Sequence, residues 1–162
     1  MARIYVGVGS NVDRLDNIRS GISSLRAEFG DLQLSRIYDS AAVGFRGANF
    51  LNLVAGFDSC RTVREVVAIL RGIEARHGRR RGGTRFGPRT LDLDLLLYDD
   101  LVLEEEGIRI PREEITAYAF ILRPLAEIDP TRLHPLEGRP LGELWREFRH
   151  AGQRLVEVDV AL

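Results

Sequence analysis

Hydrophobic and polar residues alternate along four segments of the chain, and this alternation predicts four core strands. A fifth alternating segment near the end predicts a last strand, and an acidic stretch after Asp100 resembles a short hairpin. The four core segments are 3–9, 32–39, 50–57 and the stretch that contains Asp92 and Asp94; the last is 155–160.

Two longer segments show the three- and four-residue spacing of amphipathic helices. The first ends at Phe29, before a Gly30-Asp31 turn, and the second follows a capping box formed by Thr62 and Glu65. An apolar segment covers 117–128, and another helix is predicted near 141–148. The apolar helix positions are Val12, Leu15, Ile18, Ile22, Leu25 and Phe29, then Val66, Val67, Leu70 and Ile73.

The order of these elements is strand-helix-strand, strand-helix-strand, followed by additional elements. This order predicts the α+β class with a ferredoxin-like, split βαβ core: a mostly antiparallel sheet with helices on one face. The elements after the core form a C-terminal elaboration. With 162 residues and no linker or internal repeat, we expect one domain over 1–162.

The distribution of charge indicates a small anionic ligand. A net charge of −1 gives no excess positive field for a nucleic-acid backbone, so we expect no nucleic-acid partner. Arginines are concentrated between Arg71 and Arg89, which suits a small polyanion. All 23 basic residues are arginine, which excludes a P-loop lysine and a Schiff-base lysine.

Other composition features predict a cytoplasmic protein. Cys60 is the single cysteine, which excludes a disulfide framework and a thiolate zinc site. The first residues enter a strand pattern without resembling a signal peptide. No apolar run approaches the roughly 20 residues that cross a bilayer, so no membrane partner is expected.

The segment after the arginines is the strongest chemical signal. In a strand, Asp92 and Asp94 share one face with Thr90, and the leucines at 91, 93, 95 and 97 share the other. Adjacent carboxylates disfavour each other's ionisation unless a cation lies between them. Mg²⁺ typically takes one or two carboxylates and completes its shell with water and phosphates. Together with the upstream arginines, the pair predicts a nucleoside triphosphate site.

Several strings in the chain together resemble one family. Arg85-Phe-Gly-Pro-Arg-Thr-Leu-Asp-Leu-Asp94 is similar to the signature of the 6-hydroxymethyl-7,8-dihydropterin pyrophosphokinase family. The resemblance spans nearly the whole chain in the family's order. The other matching strings are Tyr5-Val-Gly-Val-Gly-Ser-Asn11, Phe50-Leu-Asn52, Ile73-Glu74 with Gly78-Arg79, and Ala119-Phe120 with Pro124-Leu-Ala-Glu-Ile128.

The resemblance implies an enzyme of folate biosynthesis. Such an enzyme transfers pyrophosphate from ATP to the hydroxymethyl group of the dihydropterin and releases AMP. It implies ATP as co-substrate and two Mg²⁺ ions, held by the counterparts of Asp92 and Asp94. Phosphoryl transfer depends mainly on positioning and on charge neutralisation, which metals and arginines supply. We expect the protein to act as a monomer.

The resemblance also implies roles for individual residues. Arg79 and Arg89 fall on the family's catalytic loop arginines and act together with Asp92 and Asp94. The ATP-binding positions are Glu74, Arg79, Arg81, Arg89 and Arg112. The pterin-binding positions are Val43, Gly44, Phe50, Asn52 and Phe120, where the aromatic pair encloses the flat ring and Asn52 supplies a donor and an acceptor.

Three positions differ from the family's usual pattern and leave alternatives open. Arg112 and Tyr118 stand where a histidine and an arginine usually reach the ATP phosphates, and Phe86 stands where tryptophan is frequent. One alternative is therefore a non-catalytic or weakly active paralogue that binds the nucleotide and the pterin. Another is a small regulatory module that binds a metabolite at its sheet. Retention of both aspartates with Arg79 and Arg89 favours the enzyme.

Overall fold

The computed structural model describes residues 1–42, 47–78, 90–149 and 152–162. Its main feature is a six-stranded sheet, with a separate two-stranded hairpin. The strands are β1 (Ala2–Ser10), β2 (Gln33–Leu34), β3 (Ile37–Ser40), β4 (Phe50–Ser59), β5 (Asp92–Tyr98), β6 (Leu103–Glu105), β7 (Ile108–Ile110) and β8 (Leu155–Val158). The helices are α1 (Arg14–Phe29), α2 (Val63–Arg76), α3 (Ala119–Ile128) and α4 (Leu141–Glu147), with a 3₁₀ helix at Glu113–Thr116.

The sheet has the strand order β5-β1-β4-β3-β8, and β2 pairs with β4. Every described pairing is antiparallel. The predicted α+β class, with an antiparallel sheet and helices packed on it, is confirmed. The capping box is also confirmed: the Thr62 hydroxyl accepts from the Glu65 backbone N–H, and the Glu65 carboxylate accepts from the Thr62 N–H.

The two core helices, α1 and α2, lie on one face of the sheet as predicted, and the C-terminal elaboration covers the other face. Ile18 of α1 and Val66 of α2 pack against one side of β1 and β4, in a cluster that includes Ile4. On the other side, Leu122 of α3 packs with Tyr5 in a second cluster, which also contains Val54, Leu96, Ile115, Leu125 and Leu141. Because the central strands are apolar on both faces, each face needs a cover, and the C-terminal elaboration covers the second.

The predicted strand 32–39 is divided into β2 and β3 at Ser35 and Arg36. The Ser35 hydroxyl accepts the backbone N–H of Val54 at 2.9 Å, and the Ser35 N–H donates to the Val54 carbonyl at 2.9 Å. A side-chain oxygen thus replaces a backbone acceptor of the ladder, and regular pairing with β4 resumes only at Tyr38.

A register shift in β5 also changes the predicted faces of the leucines. Val6 pairs with Leu95, whereas the adjacent Tyr5 pairs with Leu97, so Leu96 is an extra residue in the ladder. A bulge of this kind reverses the alternation beyond it. Leu97 therefore lies in the second cluster, beneath α3, and not with Leu93 on the α1 and α2 side.

Candidate active site

Asp92 and Asp94 lie on one face of β5, as the alternation predicts. The residues paired with them on β1 are Gly9 and Gly7, respectively. Directly paired residues on one face of an antiparallel sheet normally fill each other's space with side chains. Because both partners are glycines, the space beside the two carboxylates stays open. This pairing produces a cleft next to the aspartates.

That cleft, here named the aromatic cleft, has an open volume of about 310 Å³. Asp92 and Asp94 line one side, Asn52 of β4 lies across β1 from them, and Phe120 of α3 adds an aromatic wall. Carboxylates, an amide and an aromatic ring therefore face a single space. The sequence placed Asn52 and Phe120 in a pterin site, and the structure brings them together beside the aspartates.

The orientation of Asn52 is set by its neighbours. Its side chain is buried, and its Nδ2 donates to the Ser40 hydroxyl at 2.9 Å. A Cβ at Gly9 would lie 2.7 Å from the Asn52 Oδ1 and 3.7 Å from a ring carbon of Phe50. Gly9 therefore leaves room for the amide and for the ring. Ser40, which the sequence analysis did not single out, holds the amide in place.

A second cleft, here named the hairpin cleft, opens between α2, β5 and the β6–β7 hairpin. Its open volume is about 440 Å³. Val67 and Leu70 of α2 contribute apolar walls, and Arg71, Arg109 and Arg112 contribute cationic side chains. Asp94 lines this cleft as well as the aromatic cleft. The same residue therefore borders two separate spaces.

The electrostatic environment of Asp94 favours its neutral form. Burial raises the pKa of its carboxyl well above the ordinary value, and the neighbouring Asp92 raises it further, while Arg112 acts in the opposite sense. The Arg112 guanidinium lies 3.5 Å from the Asp94 Oδ1 and 3.2 Å from Glu114. Burial by itself lowers the pKa of Arg112. The negative charges of Asp94 and Glu114 have the larger effect, so the pKa of Arg112 is raised overall.

Glu74 is placed behind the aspartate strand. It is buried, with 1% of its surface exposed, and its Oε2 accepts the Leu93 backbone N–H at 2.9 Å. Its negative charge adds to the rise in the pKa of Asp94. Because the bond reaches the residue between the two aspartates, Glu74 anchors the centre of the site from α2. Its assignment to ATP binding stays a prediction.

The donor set fits Mg²⁺. In the described ranges, no cluster of three or more His, Cys, Asp or Glu side chains could hold a metal ion. Mg²⁺ needs only one or two protein carboxylates when phosphates and water complete its shell. A cation between Asp92 and Asp94 would also relieve the repulsion that raises the pKa of Asp94.

Five predicted site residues lie outside the described residues: Val43, Gly44, Arg79, Arg81 and Arg89. The structure adds two residues beside Phe120: Gln153, which the sequence analysis did not name, and Tyr118, which it considered only as a position near the ATP phosphates. The Tyr118 ring stacks on the Phe120 ring, with centroids 5.3 Å apart. Gln153 binds the backbone on both sides of Tyr118. An isolated glutamine far along the chain has no local pattern that could have identified it.

Comparison with known proteins identifies the family. The family model for 7,8-dihydro-6-hydroxymethylpterin-pyrophosphokinase matches residues 5–130. The chain belongs to this family, which confirms the resemblance drawn from its sequence. Within the described part of the chain, no helix has the length and apolarity needed to cross a membrane.

Relatives agree with this assignment. The chain is 36% identical over 146 residues to the 2-amino-4-hydroxy-6-hydroxymethyldihydropteridine pyrophosphokinase of Aquifex aeolicus, covering 88% of this chain and 90% of that protein. It is 34% identical over 146 residues to the protein of the same name from Pseudomonas aeruginosa, covering 88% and 89%.

Solved structures support the fold. Plasmodium falciparum HPPK-DHPS, with SDX-DHP, superposes with a TM-score of 0.71 at 11% identity, over 91% of this chain. The chain spans 44% of the length of that structure's chain. At this identity the similarity supports the architecture alone.

Proposed function

We propose that the protein transfers pyrophosphate from ATP to 6-hydroxymethyl-7,8-dihydropterin, giving AMP and the dihydropterin diphosphate. The observation that carries this proposal is the position of Asp94, which lines both the aromatic cleft and the hairpin cleft. A transfer between two substrates needs both reacting groups at one charged centre. An acidic residue that borders both clefts provides such a centre.

The lining of each cleft favours one of the two substrates. The aromatic cleft offers the Phe120 ring and the Asn52 amide, which suit the faces and the edge of a flat pterin. The hairpin cleft combines apolar walls with Arg71, Arg109 and Arg112, which suit a base attached to phosphates. In this arrangement the hydroxymethyl group and the β-phosphate meet beside Asp92 and Asp94.

In the reaction, the hydroxymethyl oxygen attacks the β-phosphorus of ATP. A new O–P bond forms, the bond between the β-phosphorus and the α–β bridging oxygen breaks, AMP departs, and the hydroxyl proton passes to solvent. Asp92 and Asp94 would hold Mg²⁺, which would neutralise phosphate charge when bound. Arg112 donates to a phosphate, and Arg79, Arg81 and Arg89 supply further donors in this proposal. We also propose two Mg²⁺ ions, a monomer over 1–162 and a location in the cytoplasm.

A non-catalytic paralogue is the second candidate. It is motivated by Tyr118, whose ring stacks on Phe120 and carries no charge at the position where the family usually has arginine. Without that charge, the phosphates lose one donor. Arg112 retains a permanent charge at the position where the family usually has histidine, which favours the enzyme.

The decisive experiment measures the nucleotide product. Purified protein is incubated with ATP, Mg²⁺ and the dihydropterin, and nucleotides are separated by chromatography. AMP formed in equal amount to the dihydropterin diphosphate supports the proposal, and ADP would indicate transfer of a single phosphoryl group. Omitting the dihydropterin controls for hydrolysis. Binding of both ligands without AMP would favour the paralogue.

A further inference from the structure

The segment after α4 returns across the start of α3 and contacts it through one side chain. The Gln153 Oε1 accepts the Ala119 backbone N–H at 2.8 Å, and its Nε2 donates to the Ala117 carbonyl at 3.1 Å. The two bonds bracket Tyr118. A single amide therefore uses its acceptor and one donor to fix the turn that leads into α3.

The start of α3 depends on this contact. The first N–H groups of a helix have no partner within the helix, and a side chain at the N-cap usually supplies one. Tyr118 occupies the N-cap position and makes no such side-chain bond. Pro124 has no N–H, so the helical bond to the Phe120 carbonyl cannot form. Gln153 supplies an acceptor where the helix's own sequence does not.

This turn determines where the aromatic wall of the aromatic cleft lies. Phe120 is the second residue of α3, and its ring lines the cleft together with Asn52 and Asp92. The Tyr118 ring stacks on the Phe120 ring, with an interplanar angle of 21°. Both rings project from backbone that Gln153 holds. A change in that backbone would move the wall, while the hairpin cleft is built from α2, β5, the hairpin and Arg112.

We infer that Gln153 is a positioning residue for the flat substrate: it holds the Ala117–Ala119 backbone so that Tyr118 and Phe120 form a pre-ordered stack on which the pterin ring binds. The inference rests on the proposed function for the identity of the ligand. A preformed aromatic surface loses less conformational freedom on binding than a mobile one. Gln153 therefore acts on pterin affinity and leaves ATP affinity unchanged.

The test compares Gln153→Ala with Arg154→Ala, a matched control at the adjacent, exposed position. Binding of 6-hydroxymethylpterin is measured by its own fluorescence in the presence of a non-hydrolysable ATP analogue. The KM values for ATP and for the dihydropterin, kcat and the melting temperature are measured on the same preparations. Tyr118→Ala and Tyr118→Phe test the stack independently of Gln153.

We expect Gln153→Ala to raise the pterin Kd and the dihydropterin KM by roughly tenfold, the scale of one or two net hydrogen bonds. The KM for ATP should change by less than about twofold, within the scatter expected for a site that shares no partner with Gln153. Tyr118→Ala should reproduce the selective loss. Tyr118→Phe keeps an aromatic ring on Phe120 and should lose much less pterin affinity than Tyr118→Ala. Arg154→Ala should behave as the wild type.

An unchanged pterin Kd in Gln153→Ala overturns the inference, and so does an equal rise in both KM values, which would indicate a general structural role. If Gln153→Ala does not fold, Tyr118→Ala is compared with Tyr118→Phe instead. A pterin Kd that is equal in these two variants overturns the inference. If the wild type binds no pterin and forms no AMP, the proposed function fails and this inference falls with it. Wild-type activity together with an unaffected variant overturns the inference alone.

Discussion

The Arg112 guanidinium lies between two carboxylates, 3.5 Å from Asp94 and 3.2 Å from Glu114. Asp94 also faces Asp92, which disfavours its ionisation. Arg112 is thus the cation that offsets part of this repulsion in the ligand-free protein. In the proposed reaction, phosphates bound by Arg112 would compete with Asp94 for the guanidinium, and a metal ion at the aspartates would then supply the counter-charge. The first two predictions follow from this pair.

Asp94→Asn should nearly abolish transfer and leave the protein at least as stable as the wild type. Removing a ligand of the proposed Mg²⁺ should lower kcat by roughly 10²–10³-fold or more, the scale for losing preorganised charge stabilisation. The raised pKa of Asp94 means that folding favours its neutral form, so a neutral isostere removes an unfavourable charge at pH 7. Turnover and thermal unfolding measured together check both effects.

Asp100→Asn is the matched control, since Asp100 follows the same strand and is exposed. It should change neither turnover nor melting temperature. Near-normal turnover of Asp94→Asn at limiting Mg²⁺ would contradict the metal assignment and the mechanism built on it.

Arg112→Ala should raise the KM for ATP by roughly tenfold, because a charge-assisted hydrogen bond to a phosphate is lost. Arg112→His should have a milder effect, since an imidazole can still donate to phosphate. That effect should grow as the pH rises above about 6.5, where an unperturbed imidazolium loses its charge. Steady-state kinetics with ATP varied at several pH values measure both. Arg64→Ala, which removes an exposed ion pair with Glu105, is the control. Equal KM values for Arg112→Ala and the wild type would exclude a role in ATP binding.

Gly9→Ala should weaken pterin binding by displacing the Asn52 amide. The new Cβ would lie 2.7 Å from the Asn52 Oδ1, closer than real contacts allow, and the amide is held by Ser40. Asn52→Ala should weaken binding as well, because it removes the donor and acceptor. The double variant should bind no more weakly than Asn52→Ala, since the clash disappears with the amide. Titration of a fluorescent pterin into all three variants measures the coupling between the two substitutions. Strictly additive losses of pterin affinity would contradict the prediction.

Acid should destabilise the fold through His134. This side chain is buried, and its Nδ1 accepts the backbone N–H groups of Leu136 and Glu137 at 3.2 and 3.1 Å. Burial lowers the pKa of His134 below its ordinary value of 6.5, although Glu137 acts in the opposite sense. As the pH falls, His134 is therefore protonated in the unfolded state at a higher pH than in the folded state. The stabilisation is fully present above about pH 6.5 and is lost as the pH falls toward the lower folded-state pKa.

His134→Asn should remove the part of the pH dependence of stability that His134 causes, because an amide oxygen can accept the same N–H groups without titrating. The free energy of unfolding is measured by urea titration between pH 5 and pH 8, roughly the range in which histidine changes charge. An identical pH dependence in His134→Asn and the wild type would contradict the prediction.

Patterns between near neighbours determined most elements from the sequence. The alternation in β1 and β4, the helical spacing in α1 and the capping box at Thr62 each involve residues within one or two turns or strand steps. The common face of Asp92 and Asp94 follows from the same two-residue period. The family resemblance also rests on short strings in a fixed order. Local geometry suffices for all of these.

Where a strand breaks or changes face depends on its partner, and there local reasoning failed. The break at Ser35 forms because its hydroxyl meets the Val54 N–H, 19 positions away. Leu97 changes face because the ladder with β1 shifts between Tyr5 and Val6. Neither the hydroxyl's partner nor the shift in register is encoded in the alternation of the strand itself.

Contacts between distant segments decided the rest of the site. Both sheet faces are covered because α3 and α4 return to the second face, where the Tyr5 hydroxyl bonds Asp129 at a separation of 124 positions. Asp94 lines two clefts because β1 opposes it with Gly7 while α2 and the hairpin lie on its other side. Gln153 reaches Ala119 across 34 positions. A periodic pattern specifies which face of an element is apolar, but which distant segment meets that face is decided by packing of the whole chain.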